Sequence, residues 1–499
     1  MPDEKNNNAS PPAPVVYPGF LSVFPSLMVP MFLAVADQTI VATALPAIAA
    51  GMGNVQGISW IVIAYLMAAT VAAPIYGRLG DTFGRRRLMF AALTVFITAS
   101  ALCAVAPTIE WLTAARVLQG FGGGGLMTLS QALIGESAPP RERARYQGYI
   151  AAVAVTANGF GPVAGGFLTE HFGWRSIFLV SVPIGLIAFA LTFRIPTARR
   201  SEPREWRADP GGLFLFTVFV VATLVALDQF KYVSLAALPL AGALFAAGMI
   251  ALVLLVRHEN RAASPLIPLA LLRMPAIWRS DAMAALHGAA LVSLITFLPV
   301  YLQAVRGASP SETGLVLVPL TVGIGTGAMV TGRLMHKTGL ASVFPAFGLV
   351  LVTANFVVLA FWAHVLGTTG FALLMLWNGL FMGTVMGVVQ VTVQTASGPH
   401  QLGEAAATVQ FSRSIGAAFG TAFVAVVLFG YLALKNPEAA RVFAVMVEHA
   451  GGAERALAGA EAATIRADIA QAFRAAFLVM ALFTTGGFVL AVTHPMRRL

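Results

Sequence analysis

Cysteine is nearly absent: Cys103 is the only one in 499 residues. With one cysteine, no disulfide and no cysteine-based metal site can form within the chain. The eight histidines are scattered, with no H-x-x-x-H pair. Charge is scarce as well, at 10% of residues against about 25% in soluble domains. No G-x-x-x-x-G-K-[ST] occurs, which removes an ATP site. No nucleophile–base set stands out, so the sequence does not read as an enzyme and calls for no cofactor. The short alternating strands of an outer-membrane barrel are missing too.

What is present is apolar sequence, 58% of the chain, with a mean hydropathy of +0.81. A membrane-crossing helix needs roughly 20 such residues, and runs of that length recur from end to end. The sequence therefore predicts an all-α membrane protein with about fourteen spans and no soluble domain. The first span is Phe20–Thr43. The fourth to eighth are Trp111–Ile134, Tyr146–Leu168, Ser176–Phe193, Gly211–Leu227 and Ser234–Val256, and the last is Ala470–Val492. Residues 1–18, polar and rich in proline and asparagine, read as a disordered tail. The first apolar run is too long for a signal-peptide core and lacks a basic flank, so it reads as an uncleaved span.

The net charge of +10 does not imply nucleic acid, because the basic residues sit in short loops. With a cytoplasmic N-terminus, 21 Lys and Arg fall in cytoplasmic segments and 7 on the other side. This positive-inside bias predicts that both termini are cytoplasmic. The long segment 435–469, rich in Ala, Glu and Arg, is then extracytoplasmic, and its composition predicts amphipathic helices on the outer surface.

Two stretches repeat. "YGRLGDTFGRRRLMF" from Tyr76 and "TGRLMHKTGLASVF" from Thr331 both read G-R-L-x4-G after a span. The copies are separated by eight spans rather than six, so two helices are inserted between two six-helix halves. The boundaries follow as 19–200, 201–275 and 276–499. Repeats of this kind place a substrate path between the halves, near the bilayer midplane.

In the first copy, Gly77 and Gly84 permit a tight turn and close helix approach. Asp81 is placed to cap the following helix and to pair with Arg85 or Arg86. Orientation charges and a turn account for the arginines, but not for Asp81 or the glycine spacing. Those point to a gate. In "LTAARVLQGFGGGG", Arg116 lies about a turn inside a span, where charge is costly unless it snorkels outward. In "GYIAAVAVTANGFGPVAGGF", Gly161, Pro162, Gly165 and Gly166 form a small-residue face around a kink. It reads either as helix packing or as a hinge between two packing states.

These motifs resemble the major facilitator superfamily, and within it the fourteen-helix drug:proton antiporters. Gly77, Leu79, Asp81, Gly84, Arg85 and Arg86 match the family's G-x-L-x-D-x-x-G-R-[RK]. Arg116, Gln119 and Gly120 match its R-x-x-Q-G. Gly148, Gly161, Pro162, Gly165 and Gly166 match its antiporter motif, with Ala157 in one glycine place. Asp37, Thr39, Ile40, Val41, Ala44, Leu45 and Pro46 match D-x-T-I-V-N-V-A-L-P, with Ala42 and Thr43 replacing N-V. The resemblance covers the chain beyond its tail.

Asp37 lies mid-run in the first span and reads as the deepest acid. Asp281, Glu136, Glu404 and others fall in loops or at span ends. Asp37 is either a static partner for a buried arginine or a proton site; the resemblance implies the latter. Arg116, also assigned to proton coupling, reads as a positive element that tunes the outer half. Tyr65, Trp377, Asn378, Gln390 and Gln410 are candidate cavity residues. His287 is a second titratable candidate, or simply packing; Arg413 faces the cavity or braces a helix end. The function expected is a proton-coupled exporter of amphipathic, cationic compounds. The competing reading is an exporter of a lipid or other endogenous metabolite. Partners are the small-molecule substrate, protons, membrane lipids and a periplasmic adaptor protein, with a bacterial inner membrane as the location.

Overall fold

A computed structural model describes residues 20–52, 58–196, 209–229, 238–262, 265–266, 269–308, 310–448 and 462–498. The tail 1–18, parts of the 201–275 segment, and residues 449–461 of the long outer segment lie outside them. Seventeen helices are seen among the described residues. They are α1 Phe20–Met52, α2 Ile58–Phe83, α3 Arg85–Ala104, α4 Ile109–Ser137, α5 Pro140–Phe172, α6 Ser176–Leu179, α7 Ser181–Thr192, α8 Pro210–Gln229, α9 Leu238–Glu259, α10 Leu269–Leu272, α11 Pro275–Arg306, α12 Pro310–Thr338, α13 Val343–Trp362, α14 Thr368–Ser397, α15 Leu402–Lys435, α16 Pro437–Glu448 and α17 Ala462–Val492.

Twelve of these are long and apolar enough to cross a membrane, not the fourteen expected. The other two expected spans are α4 and the α6–α7 pair. Helix α4 has 29 residues, ample length. But Glu110, Arg116, Gln119 and a run of glycines lower its apolar content. The sixth run breaks at Val180 into pieces of 4 and 12 residues.

In lipid, apolar burial does little to drive helix association, so helices join where small residues let backbones meet. A methyl added at Gly120 or Gly124 of α4 would strike the backbone of Tyr65 or Ala69 on α2. Gly323 and Gly327 of α12 meet the backbone of α14 in the same way, and Gly416 of α15 meets Ala285 of α11. Aromatic side chains fill the remaining space: Tyr65 and Phe96 among α1–α4, and Tyr301, Phe371, Phe473 and Phe477 among α11, α14 and α17. Phe443 of α16 packs on Phe429 at 5.1 Å.

Helices α8 and α9 pack together, Gly248 against Thr223, and lie across the seam between α2 and α15. There the rings of Phe216 and Phe411 lie 5.1 Å apart, tilted against each other, in one cluster with Val71 and Ile75 of α2.

Among the described residues, the two groups of long helices meet toward one end. On α5, Ala144, Gly148 and Val155 meet Gly332, Met329 and Gly325 of α12. The same α5 stripe continues through Gly159, Val163 and Gly166. There a methyl at either glycine would meet nothing, and Val163 is 72% exposed. On α12, Val322 and Val318 are likewise exposed. The cleft is closed at the end bearing the arginine-rich loops and open at the other.

Candidate functional site

Asp37 sits midway along α1 and faces α4. Its Oδ2 accepts from Arg116 Nη1 at 2.5 Å, and its Oδ1 accepts from Gln119 Nε2 at 2.8 Å. Gln119 Oε1 accepts from the same guanidinium nitrogen at 2.7 Å, and the Gln119 amide also donates to Ser100 Oγ at 2.9 Å. Arg116 Nε donates to the Ile61 carbonyl at 3.2 Å. The Tyr65 ring lies 4.3 Å from the guanidinium carbon, and its hydroxyl donates to the Ala34 carbonyl at 3.2 Å. Arg116 and Gln119 reach the same carboxylate because residues three apart share a helix face.

The pair is sealed: Asp37 is 2% exposed and Arg116 1%. Arg116 therefore does not snorkel. An ion pair this deep is tolerated only when hydrogen bonds complete both partners, and Gln119, Ser100 and the Ile61 carbonyl do so. Sequence reading placed Tyr65 in a cavity; it is instead fully buried under Arg116. Gln119 and Ser100 were not among the expected site residues. The i, i+3 spacing pointed to Gln119, whereas nothing local marked Ser100.

The second cluster closes the arginine-rich end. Asp81 was expected to cap α3. It caps α15 instead, accepting from the backbone N–H of Gly403 at 2.9 Å and of Glu404 at 3.0 Å. The cause is Gly77, whose missing side chain lets the start of α15 rest against α2: a methyl there would lie 2.5 Å from the Gly403 carbonyl oxygen. Arg85 bonds Asp81 on one side and donates to Glu136 Oε2 at 2.6 Å on the other. The Arg86 guanidinium lies 5.9 Å from the Phe90 ring and 6.0 Å from that of Phe193. Nearby, Gln394 Nε2 donates to the Gln131 carbonyl at 2.8 Å, linking α14 to α4.

Gly84 makes the break between α2 and α3, at φ 95° and ψ 128°. A side chain would meet no neighbour there, so its cost is purely conformational. Gly84→Ala should lower stability by about 1–3 kcal/mol, read as a drop in thermal midpoint in lipid nanodiscs. A midpoint equal to wild type would show that no such strain exists.

The antiporter-motif glycines divide. Gly161 and Gly165 lie against Thr39, Thr43 and Ile40 of α1, while Gly166 faces open space. Pro162 lies within α5, its side chain outside the described residues. Of the other candidates, His287 is buried, its Nε2 3.2 Å from the Met382 carbonyl. Asn378 and Gln390 are buried, and Gln410 and Arg413 half-buried. Trp377 is exposed at 44% and packs edge-on against Phe381 at 4.9 Å, with its indole donating to Leu351 of α13. Two acids expected at span ends, Asp281 and Glu404, are buried at 4% and 5% exposure.

Comparison with known proteins gives a consistent result. The sequence profile of the Major Facilitator Superfamily matches residues 27–421. An uncharacterized MFS-type transporter of Mycobacterium tuberculosis is 31% identical over 473 residues, covering 94% of this chain and 69% of that protein. The multidrug transporter protein MdtP of Bacillus subtilis is 30% identical over 410 residues, covering 81% and 74%. Among solved structures, the human organic anion transporter MFSD10 superposes with a TM-score of 0.66 at 15% identity, covering 95% of this chain and all of that one.

Proposed function

Because this chain belongs to the major facilitator superfamily, and is a multi-pass membrane transporter rather than an enzyme, we propose that it is a proton-coupled antiporter exporting amphipathic, cationic compounds. The reading places α4 and α6–α7 as the remaining two of fourteen spans. It sets the arginine-rich end and both termini in the cytoplasm of a bacterium, with α1–α7 and α11–α17 as the two moving halves. Names of relatives such as MdtP support export of drugs.

The observation that carries the proton coupling is the sealed Asp37–Arg116 pair between α1 and α4. A proton on Asp37 removes the charge that Arg116 pairs with, leaving a buried cation without its partner. The helices holding them then have reason to shift. Since α1 also carries Thr39 and Thr43 against Gly161 and Gly165 of α5, that shift passes to the helix that meets the other half. The cluster at Asp81 and Gly403 acts as the cytoplasmic gate, with Arg85 fixing the Asp81 carboxylate.

The test is a pH gradient imposed on liposomes containing wild type or Asp37→Asn, with a lipophilic cation as the probe. Wild type should concentrate the cation, and the variant should lose at least tenfold of that accumulation. Unchanged accumulation and pH dependence in Asp37→Asn would remove the coupling role. A second reading, export of a lipid or endogenous metabolite, draws on the open part of the cleft. Exposed residues of α1, α5 and α12 include Ala42, Thr43, Val163 and Val322, none of them an acid that would hold a cation. Lipid movement without cation transport in the same liposomes would select it.

A further inference from the structure

Asp281 is a buried acid that the exporter mechanism above does not use. It lies in the second turn of α11 and is 4% exposed. Neither of its carboxylate oxygens accepts a hydrogen bond. Its place follows from the packing of α11 on α15. Ala285 and Gly288 of α11 meet the α15 backbone at Gly416 and Arg413. Asp281 is four and seven residues before them, so it continues the same stripe. On α15 the stripe continues down to Thr408, whose side chain faces Asp281. The Thr408 hydroxyl donates to the Ala405 carbonyl at 3.0 Å and so does not neutralise the carboxyl.

Among the described residues, no cation compensates it either. On α15 the charged groups are Glu404, one turn toward the gate, and Arg413, further along toward the open end. Glu404 accepts from Gln401 at 3.1 Å. On α11 itself, Arg279 donates to the Thr493 carbonyl at 2.6 Å, and His287 is engaged with the Met382 carbonyl. His494, beyond α17, is held by Ser280 and the Ala276 carbonyl. Helix α14 carries no charged residue. An ionised carboxylate in this setting would be buried with no partner charge and with only the Thr408 hydroxyl, already donating to Ala405, beside it, which folded proteins avoid by protonation.

A cavity approaches it. This cavity, of about 150 Å³, lies between the inserted pair α8–α9 and the seam of α2 with α15. Its wall includes Pro74 of α2 and Glu404, Ala407 and Thr408 of α15. Thr408 therefore borders the cavity and faces Asp281. The same first turn of α15 is the one Asp81 caps. When α2 leaves α15, the cavity gains access to the arginine-rich end, with Thr408 between its wall and the carboxyl.

We propose that Asp281 is a second proton-binding carboxyl, sealed and protonated while the arginine-rich end is closed, and exchanging its proton with the cytoplasm through Thr408 when that end parts. Its part in the transport cycle rests on the proton-coupled reading above; its protonation does not.

Infrared spectroscopy of the protein in lipid at neutral pH tests it. Wild type should show the carbonyl stretch of a protonated carboxyl, shifted in D2O. The band should vanish in Asp281→Asn and persist in Asp37→Asn. Thr408→Val should slow its exchange with D2O at least several-fold. Gly77→Val, which parts the gate, should speed it. A wild type without the band, or a band that survives in Asp281→Asn, overturns the proposal. So does exchange indifferent to both Thr408 and Gly77.

In liposomes, Asp281→Asn should lose gradient-driven accumulation at least tenfold while retaining exchange of labelled for unlabelled cation, and Asp281→Glu should restore accumulation. If Asp281→Asn accumulates cation as wild type does, Asp281 has no part in the cycle. If wild type itself is indifferent to the gradient, the antiporter reading fails, and the infrared result still decides the protonation of Asp281.

Discussion

Arg116→Ala should destabilise the folded protein by about 3–5 kcal/mol, because it leaves the Asp37 carboxylate buried without its partner. The size comes from burial, not from the bond itself. At 2% exposure, Asp37 has no water to fall back on. Gln119 remains, but one amide donor does not replace a guanidinium. The double variant Arg116→Ala, Asp37→Asn removes both charges and should recover most of the loss. A cavity where the arginine was will account for what is left. Asp37→Asn alone leaves the cation instead, which retains the Gln119 and Ile61 oxygens as acceptors, so its cost should fall between the two. Thermal and denaturant midpoints of the four proteins in nanodiscs form the cycle. If the loss in the double variant equals the sum of the two single losses, the coupling is zero, and the pair contributes nothing to stability in this conformation.

That network shows how far the sequence alone reached. Asp37 and Arg116 each stood out because charge is expensive inside a lipid-spanning run. Their pairing required α1 to lie against α4, which no local spacing states. Gln119 was within reach, three residues from Arg116 on one face. Tyr65 was misplaced because an aromatic in a span reads the same whether it lines a cavity or packs beneath a cation. Asp81 was assigned to the nearest helix start in the chain. Its true partner is 322 residues away, and only the glycine contact between α2 and α15 brings it there. Asp281 looked like a span-end acid near water, yet its stripe on α11 turns into the α15 seam. The span count differs for a related reason. Helix α4 gives its surface to glycines and a buried ion pair, so an apolarity test passes over it.

On the proposed transport cycle, changes at the contact between α2 and α15 should shift the balance between a closed and a parted arginine-rich end in a chosen direction. Gly77→Val drives a side chain into the backbone at Gly403 and toward Ala407 Cβ, 3.0 Å from an added methyl. Backbone cannot yield as a flexible side chain would, so the arginine-rich end must part. Asp81→Asn keeps the shape but removes the charge from the bonds to Gly403, Glu404 and Arg85. Hydrogen bonds to a charged group contribute about 1.5–3 kcal/mol each. Losing even one such increment moves the equilibrium roughly 10- to 150-fold toward the parted form. Spin labels at Arg145→Cys and Thr338→Cys would report it as a longer distance by pulsed EPR, in a background lacking Cys103. Gly166→Val should act in the opposite sense. Gly166 meets nothing while the far end is open, but it lies on the α5 stripe that faces α12. Closing that end would bring an added side chain against α12, so the variant should hold the label pair at the short distance. If Gly166→Val and Gly77→Val move the distance in the same direction, the two helices do not rock about their contact at Val155 and Gly325, and the closed end is not the partner of the open one.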